Sequence, residues 1–333
     1  MCISACGGNN SSEEEPGHDH EHEGEVKVVA NLRIGIEQHE GQLQYESAVR
    51  MAQEIEAKSE GAVKATVYGA GKLGTDEELL KYLETEEDAI DIVIASADAI
   101  AKYKAGFNAA ELPFAMCDYD AVRDFVNGDV QRYAAQGLEE NNMRALGYYM
   151  DGFHVLVCSE QNISKAETLQ GTRVAVADEK LTAIAMRMMG AQIEECDYGQ
   201  MNELLKRGRC EAAAGRIEDI LERRVYQGQY SMVLTNHTFD LSGIVISEKL
   251  WSELDKQYQQ IIQQAAINSS HYNIEEVRQA DQKMIGQIEA SGVRIVTPNP
   301  EGFWKKAEPA VRNYSSEFQT ITDRLILWRS NRQ

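Results

Sequence analysis

The stretch AVKATVYGAGKLGTDEELLKYLETEEDAIDIVIASA, residues 62–97, decides the fold class. AVKATVYGAG and AIDIVIASA are apolar runs rich in Val and Ile and read as strands, and TDEELLKYLETEED between them reads as a capped helix starting at Thr75. Upstream, KVVANLRIGI from Lys27 is a strand of a buried sheet. YESAVRMAQEIEAKSEG then places Tyr45, Ala48, Val49, Ala52 and Ile55 on one helical face and stops at Gly61. Strand, helix, strand, helix, strand at this spacing predicts a mostly parallel sheet with helices packed on it.

The pattern resumes further along. After ELPFAM and a helix from Tyr119 to Asn127, NMRALGYYMDGFHVLVCS gives two strand-like runs broken at Asp151-Gly152. RVAVAD is a strand, LTAIAMRMMG a helix, and NELLKRGRCEAAAG a helix leading into a short strand. YSMVLTNH, GIVIS and VRIVT are further strands, and the tract from Glu248 to Gly292 is helical and long enough to bridge two domains. The chain therefore reads as two α/β units joined more than once. Ligands of open α/β sheets bind outside the carboxyl ends of the strands, so the expected site is a cleft lined by residues that follow strands. Glu37, Gln38 and His39 after the first strand and Ser96 at the end of the third meet that description, as does Asp178 after RVAVA.

The 333 residues suit two domains of ordinary size, and a hydrophobic fraction of 43% is enough for two cores. A formal net charge of −21 repels phosphate backbones and argues against a nucleic-acid partner. Seven of those charges, Glu13, Glu14, Glu15, Asp19, Glu21, Glu23 and Glu25, precede the first basic residue, Lys27. No run of about 18 apolar residues occurs, so nothing here spans a bilayer as a helix. MCISAC supplies another device: Ile3, Ser4 and Ala5 before Cys6 resemble a lipoprotein processing site, although a basic and an apolar region do not precede it. Residues 1–26 then read as an acidic tether. Its HDHEHE run offers His18, His20 and His22 as a weak, open metal site, with a solvated tether the favoured reading. The six cysteines show no CxxC spacing, and Cys158 and Cys196 read as buried free thiols.

Several short motifs fall in one order that resembles the DctP-type solute-binding proteins of TRAP transporters, the tripartite ATP-independent periplasmic systems. YGAGKLGTDEELLKYL resembles the family's Y-x-x-x-x-L-G corner, AIDIVIASA its G-x-x-D-I-x-x-x-S strand, and ELPFAM its L-P-F. GYYMDGFHVLVCSEQNISKAETLQGTRVAV is similar to the family's passage from N-G-x-R to L-x-G-x-K-x-R, and TNHTFDLSGIVISEKLWSEL to the region after the second crossing. The resemblance runs from about Val28 to Val296. It implies a two-domain, periplasmic-binding-protein-like α/β fold with a ligand cleft between lobes and a long bridging helix. One lobe would comprise residues 27–150 plus about 240–285, the other 151–239 plus about 286–333. It also implies a non-catalytic receptor outside the cytoplasm, with no cofactor, that closes on a small solute and delivers it to permease membrane subunits; the MCISAC stretch, if processed, would hold it at the membrane by a lipid on Cys6.

Against the family pattern, the sequence departs at pocket positions. The arginine on the first strand of the second domain becomes Ala175, with Arg173 two residues before it as an alternative clamp; the arginine of N-G-x-R becomes His154 and its asparagine Asp151. The D-G-x-E-N motif maps to EAAAG with Gly215 at the asparagine, and Arg216 follows as a second alternative. Tyr198 stands where the family often places a ring under the ligand, with Phe114 and Tyr149 as further walls or as core. The loss of bidentate donors predicts a neutral or cationic, partly apolar ligand in place of a simple carboxylate. An enzyme is disfavoured, since GxSxG, HExxH, a Walker loop and a Rossmann glycine triplet are all lacking. A solute sensor feeding a signalling partner, or a metal-binding lipoprotein using the tail histidines, are the alternatives.

Overall fold

The computed structural model describes residues 27–160, 163–177, 180–313 and 319–332. Cys6, His18, His20, His22 and Asp178 lie outside them. Ten strands run in chain order: β1 (Ala30–Ile36), β2 (Val63–Tyr68), β3 (Ile92–Ser96), β4 (Met143–Cys158), β5 (Arg173–Val176), β6 (Gln192–Glu195), β7 (Ala212–Arg216), β8 (Ser231–Val233), β9 (Phe239–Ser247) and β10 (Arg294–Val296). Their order across the sheet is β2-β1-β3-β9-β4-β7-β5-β6, with β8 on β4 and β10 on β8.

Within each half the expected parallel pairing holds: β1 lies parallel to β2 and β3, and β5 parallel to β6 and β7. The sheet as a whole is mixed, which corrects the mostly parallel expectation. The two strands that join the halves, β4 and β9, run antiparallel to each other, and they meet β3 and β7 antiparallel as well. The fold is thus two-lobed, with β4 serving both lobes: its first part pairs with β9 and its last five residues with β7.

The break expected at Asp151-Gly152 is a register shift inside one 16-residue strand. The pairing with β9 skips from Met150 to Phe153, and Gly152 takes φ +88, a left-handed value that a side chain would strain. The capped helix between β2 and β3 is α2 (Asp76–Glu84), preceded by α1 (Leu43–Lys58). Thr75 caps α2 in a full capping box, with the Thr75 N–H donating to Glu78 Oε2 at 2.9 Å.

The long tract is two helices. Glu248–Glu253 ends at Leu254, and Asp255 opens a helix of 35 residues, Lys256–Ala290, about 52 Å long at 1.5 Å per residue. This helix takes up β4 backbone groups with its own side chains: Tyr148 N donates to Ser270 Oγ at 3.0 Å and Met150 N to Asn273 Oδ1 at 2.7 Å. It comes so close because residue 147 is glycine, where a Cβ would stand 2.7 Å from Ser270 Oγ. Beyond the crossing, Asp281 of the same helix accepts from the Tyr119 hydroxyl and from the Phe153 backbone. The helix therefore fastens the crossover strand on both sides of its break.

Three buried clusters fill the fold. Leu32, Ile34, Ile36 and Ile55 pack under the first lobe; Val155, Val157, Ala175, Met201 and Ala213 fill the second; a larger cluster, from Leu79 through Phe153 to Leu325, runs through both. Cys158 and Cys210 are buried and Cys196 is half-buried; among the described residues the cysteines are free thiols.

Candidate functional site

A cavity of about 410 Å³ lies where the ends of β1 and β3 face the crossing of β4 and β9. Gln38 follows β1 and Ser96 ends β3; Gln44 comes from α1 and Asp98 from the short helix α3 (Ala97–Ala101). Asp151 and His154 come from β4, Thr238 to Ser242 from the start of β9, and Lys180 to Thr182 from the helix Lys180–Met188. Gly69, directly after β2, lies against the Gln38 backbone. A Cβ there would stand 2.7 Å from the Gln38 carbonyl oxygen, and the bare backbone lets Ala70 N donate to that oxygen at 2.8 Å.

The electrostatics are acidic. Glu111, Asp98, Asp151 and Asp240 all line the cavity, against Lys180 and His154. Glu111 is 5% exposed, and one of its oxygens accepts from Leu241 N at 2.7 Å. Burial, then the neighbouring Asp240 and Asp98, hold its carboxyl well above the usual carboxylate range. His154 bonds Asp240 Oδ2 through Nε2 at 3.3 Å and Thr182 Oγ1 through Nδ1 at 2.9 Å. Burial pushes Asp240 up, but His154 and Arg216 more than offset it and its carboxyl sits below the ordinary value.

Asp151 pairs with Arg216, whose Nε also donates to Asp219 Oδ2 at 2.9 Å. Burial still pushes Asp151 up to about 6, because the charge of Arg216 is shared and Asp240 and Glu218 add repulsion. Asp281 behind the crossing is also pushed up to about 6, mainly by burial. Between the ordinary carboxylate value and about 6 such a group binds a proton in the folded chain that the unfolded chain has lost, so its contribution to stability falls as pH rises through that window. Asp281→Asn mimics the protonated form. The expected outcome is a variant level with the wild type at about pH 4 and more stable by roughly 2 kcal/mol at about pH 8, in denaturant titrations at both pH values. A variant less stable at the higher pH would show that the ionised carboxylate is needed at the crossing.

Four of the sequence-selected residues line the cavity: Gln38, Ser96, Asp151 and His154. Arg216 borders it through Asp151. The rest stand elsewhere. Glu37 accepts from Asp76 N at 2.6 Å at the start of α2, and His39 is exposed with Nδ1 on the Glu40 carbonyl at 2.8 Å. Phe114 is fully buried against Phe303, with ring centroids 5.4 Å apart, and Tyr149 is buried with its hydroxyl on Ser269 at 3.0 Å. These two rings are core. Arg173 cannot serve as the clamp, because it opens β5 at the end away from the cavity; its Nε donates to Glu211 Oε1 at 3.0 Å and its Nη2 to the Gly208 carbonyl at 2.9 Å. Ala175 is fully buried in the second-lobe cluster, so no open space was left in place of an arginine. Tyr198 occupies the room beside Gly215, where a Cβ would stand 2.7 Å from its ring, which accounts for glycine at that position.

Sequence reasoning missed Gln44, Asp98, Glu111, Lys180, Leu181, Thr182 and the Thr238 to Ser242 wall. The last has a visible signal, since it begins the TNHTFDLSGIVIS stretch that resembles the region after the family's second crossing. Glu111 had one too: a carboxylate directly before the buried LPFAM run.

A sequence profile described as bacterial extracellular solute-binding protein, family 7, DctP, matches residues 34–317. The chain belongs to this family. Among its DctP relatives is the sialic acid-binding periplasmic protein SiaP of Vibrio cholerae, 22% identical over 302 residues that cover 90% of this chain and 93% of SiaP. The fold is similar to that of a TRAP periplasmic solute-binding protein from Ochrobactrum anthropi, at TM-score 0.80 and 19% identity, covering 92% of this chain and 96% of that one. It is also similar to one from a Sulfitobacter species with bound β-D-galacturonate, at TM-score 0.67 and 21% identity, covering 90% and 99%. DctP proteins are non-enzymatic receptors for small solutes that work with TRAP permease subunits, and the relatives are periplasmic.

Proposed function

We propose that this chain closes around a neutral or cationic small solute, not a simple carboxylate, and hands it to a TRAP-type permease. The observation that carries the reading is the charge of the cleft. Four carboxylates line it, and the guanidinium that borders it, Arg216, is already bonded to Asp151 and Asp219. Carboxylate recognition uses bidentate, charge-assisted donors, each contributing about 1.5–3 kcal/mol; the guanidinium that could supply one is bonded here to the protein's own acids, and Lys180 brings a single ammonium against four carboxylates. The sialic acid and galacturonate named for two similar proteins would meet like charge in this cleft.

The two sheet halves support assigning residues 27–150 plus about 240–285 to one lobe and 151–239 plus about 286–333 to the other, with closure about β4 and β9. A solute that touches both lobes stabilises the closed arrangement by its differential contacts. A lipid on Cys6, with residues 7–26 as tether, would keep the receptor on the outer face of the membrane beside its permease.

A thermal-shift panel separates ligand classes. Amines, polyols, nucleosides or aromatic neutrals are expected to raise the melting temperature by several degrees, and succinate, galacturonate and sialic acid to leave it unchanged. Strong stabilisation by one of the acids, lost in Lys180→Ala or Arg216→Ala, would show that the cleft still recognises carboxylates.

A further inference from the structure

We propose that Glu111, Asp98 and Asp240 form a cation subsite in the cleft, so that the solute is an amine whose ammonium group is held there. The inference rests on the reading of this cavity as the solute site and adds the class of solute.

Glu111 is the decisive residue. It ends the short turn Ala109–Glu111 and is 5% exposed, yet it lines the cavity. Its Oε1 accepts from Leu241 N, while Oε2 has no hydrogen-bond partner among the described residues. Buried carboxylates are ordinarily satisfied at both oxygens and matched by a countercharge. Neither condition is met. The groups facing Glu111 are Asp240 from β9 and Asp98 from α3, both acidic, and His154 from β4, which is bonded to Asp240 and Thr182. The helices packed on the same turn bring no countercharge to it: Asp120 and Arg123 of Tyr119–Val126 pair with each other, and Arg329 of Gln319–Ser330 is bonded to the Ala115 carbonyl and to Glu301.

Protonation is how an empty subsite of this kind lowers its own repulsion. When an ammonium enters, the carboxylic acid loses its proton to solvent and the carboxylate pairs with the ammonium; charge and atoms balance without any further reactant. Around the subsite, Gln38 and Ser96 lie on the same wall, and Gln44 accepts from the Ser242 hydroxyl at 3.2 Å, so amides and hydroxyls remain for the polar remainder of the solute.

The test is titration calorimetry on the full chain with ethanolamine, 1,4-diaminobutane, agmatine and choline, each beside a neutral hydroxyl counterpart such as 1,4-butanediol. At least one amine is expected to bind, its neutral counterpart not. Its affinity should strengthen as pH rises above the usual carboxylate range, with an apparent enthalpy that varies with the buffer's ionisation heat in the sense of proton release. Glu111→Gln keeps an oxygen for Leu241 N, so it should fold. It is expected to weaken the amine roughly tenfold or more and to abolish the buffer dependence. A purely structural Glu111 would alter melting without altering amine affinity or proton release, and that result overturns the proposal. Binding of a polyol or a sugar acid with no amine binding overturns the cation subsite while leaving the receptor reading in place. A bound amine that fails to compact the chain in small-angle scattering while still releasing its proton supports the subsite and counts against closure alone.

Discussion

Ala175→Arg is expected to destabilise the folded chain by at least about 3 kcal/mol, although arginine is the residue that the family resemblance leads one to expect at this position. Ala175 is fully buried in the middle of β5, paired with Glu194 on β6 and Ala213 on β7. Its side chain belongs to a cluster that includes Val155, Val157, Met201 and Ala213, with Tyr198 packed against that cluster and beside Gly215. An arginine there has to displace close-packed atoms and bury a guanidinium among apolar side chains. Ala175→Val adds volume without charge and is expected to cost far less. Urea titrations of the three proteins separate the effects. Wild-type stability in Ala175→Arg would mean that the cluster opens toward the cleft, and that this strand can still present a clamp.

The contrast between Ala175 and Arg216 shows what the sequence made legible and what it did not. The β1 to β3 unit could be read because its signals are local: alternation, a capping box at Thr75, a glycine stop at Gly61. The antiparallel return of β9 beside β3 could not, since Ile92 pairs with Ile246 across nearly half of the chain and no local pattern specifies that partner. The same division runs through the site. Gln38, Ser96, Asp151 and His154 follow from the rule that clefts collect residues at strand ends and crossings. Phe114 and Tyr149 failed because an aromatic ring serves a core as readily as a pocket wall. Glu111 is hard to see in the sequence because a carboxylate in a short turn is ordinarily solvated, and only the fold, which sets it against β9 with Leu241 N bonded to it, makes it a buried group.

Arg216→Ala is expected to be the more damaging change, costing about 3–5 kcal/mol near neutral pH, because it strands charges that the fold has already taken from water. The Arg216 side chain, at the end of β7, is 23% exposed and bonds Asp151 from β4 and Asp219 from the helix Ile217–Glu222 that follows, so it ties the crossover strand to the second lobe. Without it, Asp151 faces Asp240 and Glu218 with no guanidinium beside it, and a carboxyl already pushed up to about 6 rises further. The loss is then pH-dependent in a stated direction. Taking up a proton relieves Asp151, so the variant's deficit should shrink as pH falls toward about 5 and grow toward about 8. Arg216→Met with Asp151→Asn removes the pair together and should recover most of the stability, as replacing both members of a buried pair commonly does. Recovery of stability in that double variant, with its amine binding measured beside Glu111→Gln, distinguishes two roles for the arginine: holding the crossing in place, or tuning the charge that the solute meets. A deficit in Arg216→Ala that is equal at both pH values would mean that lost packing, and not the stranded carboxylates, accounts for the cost.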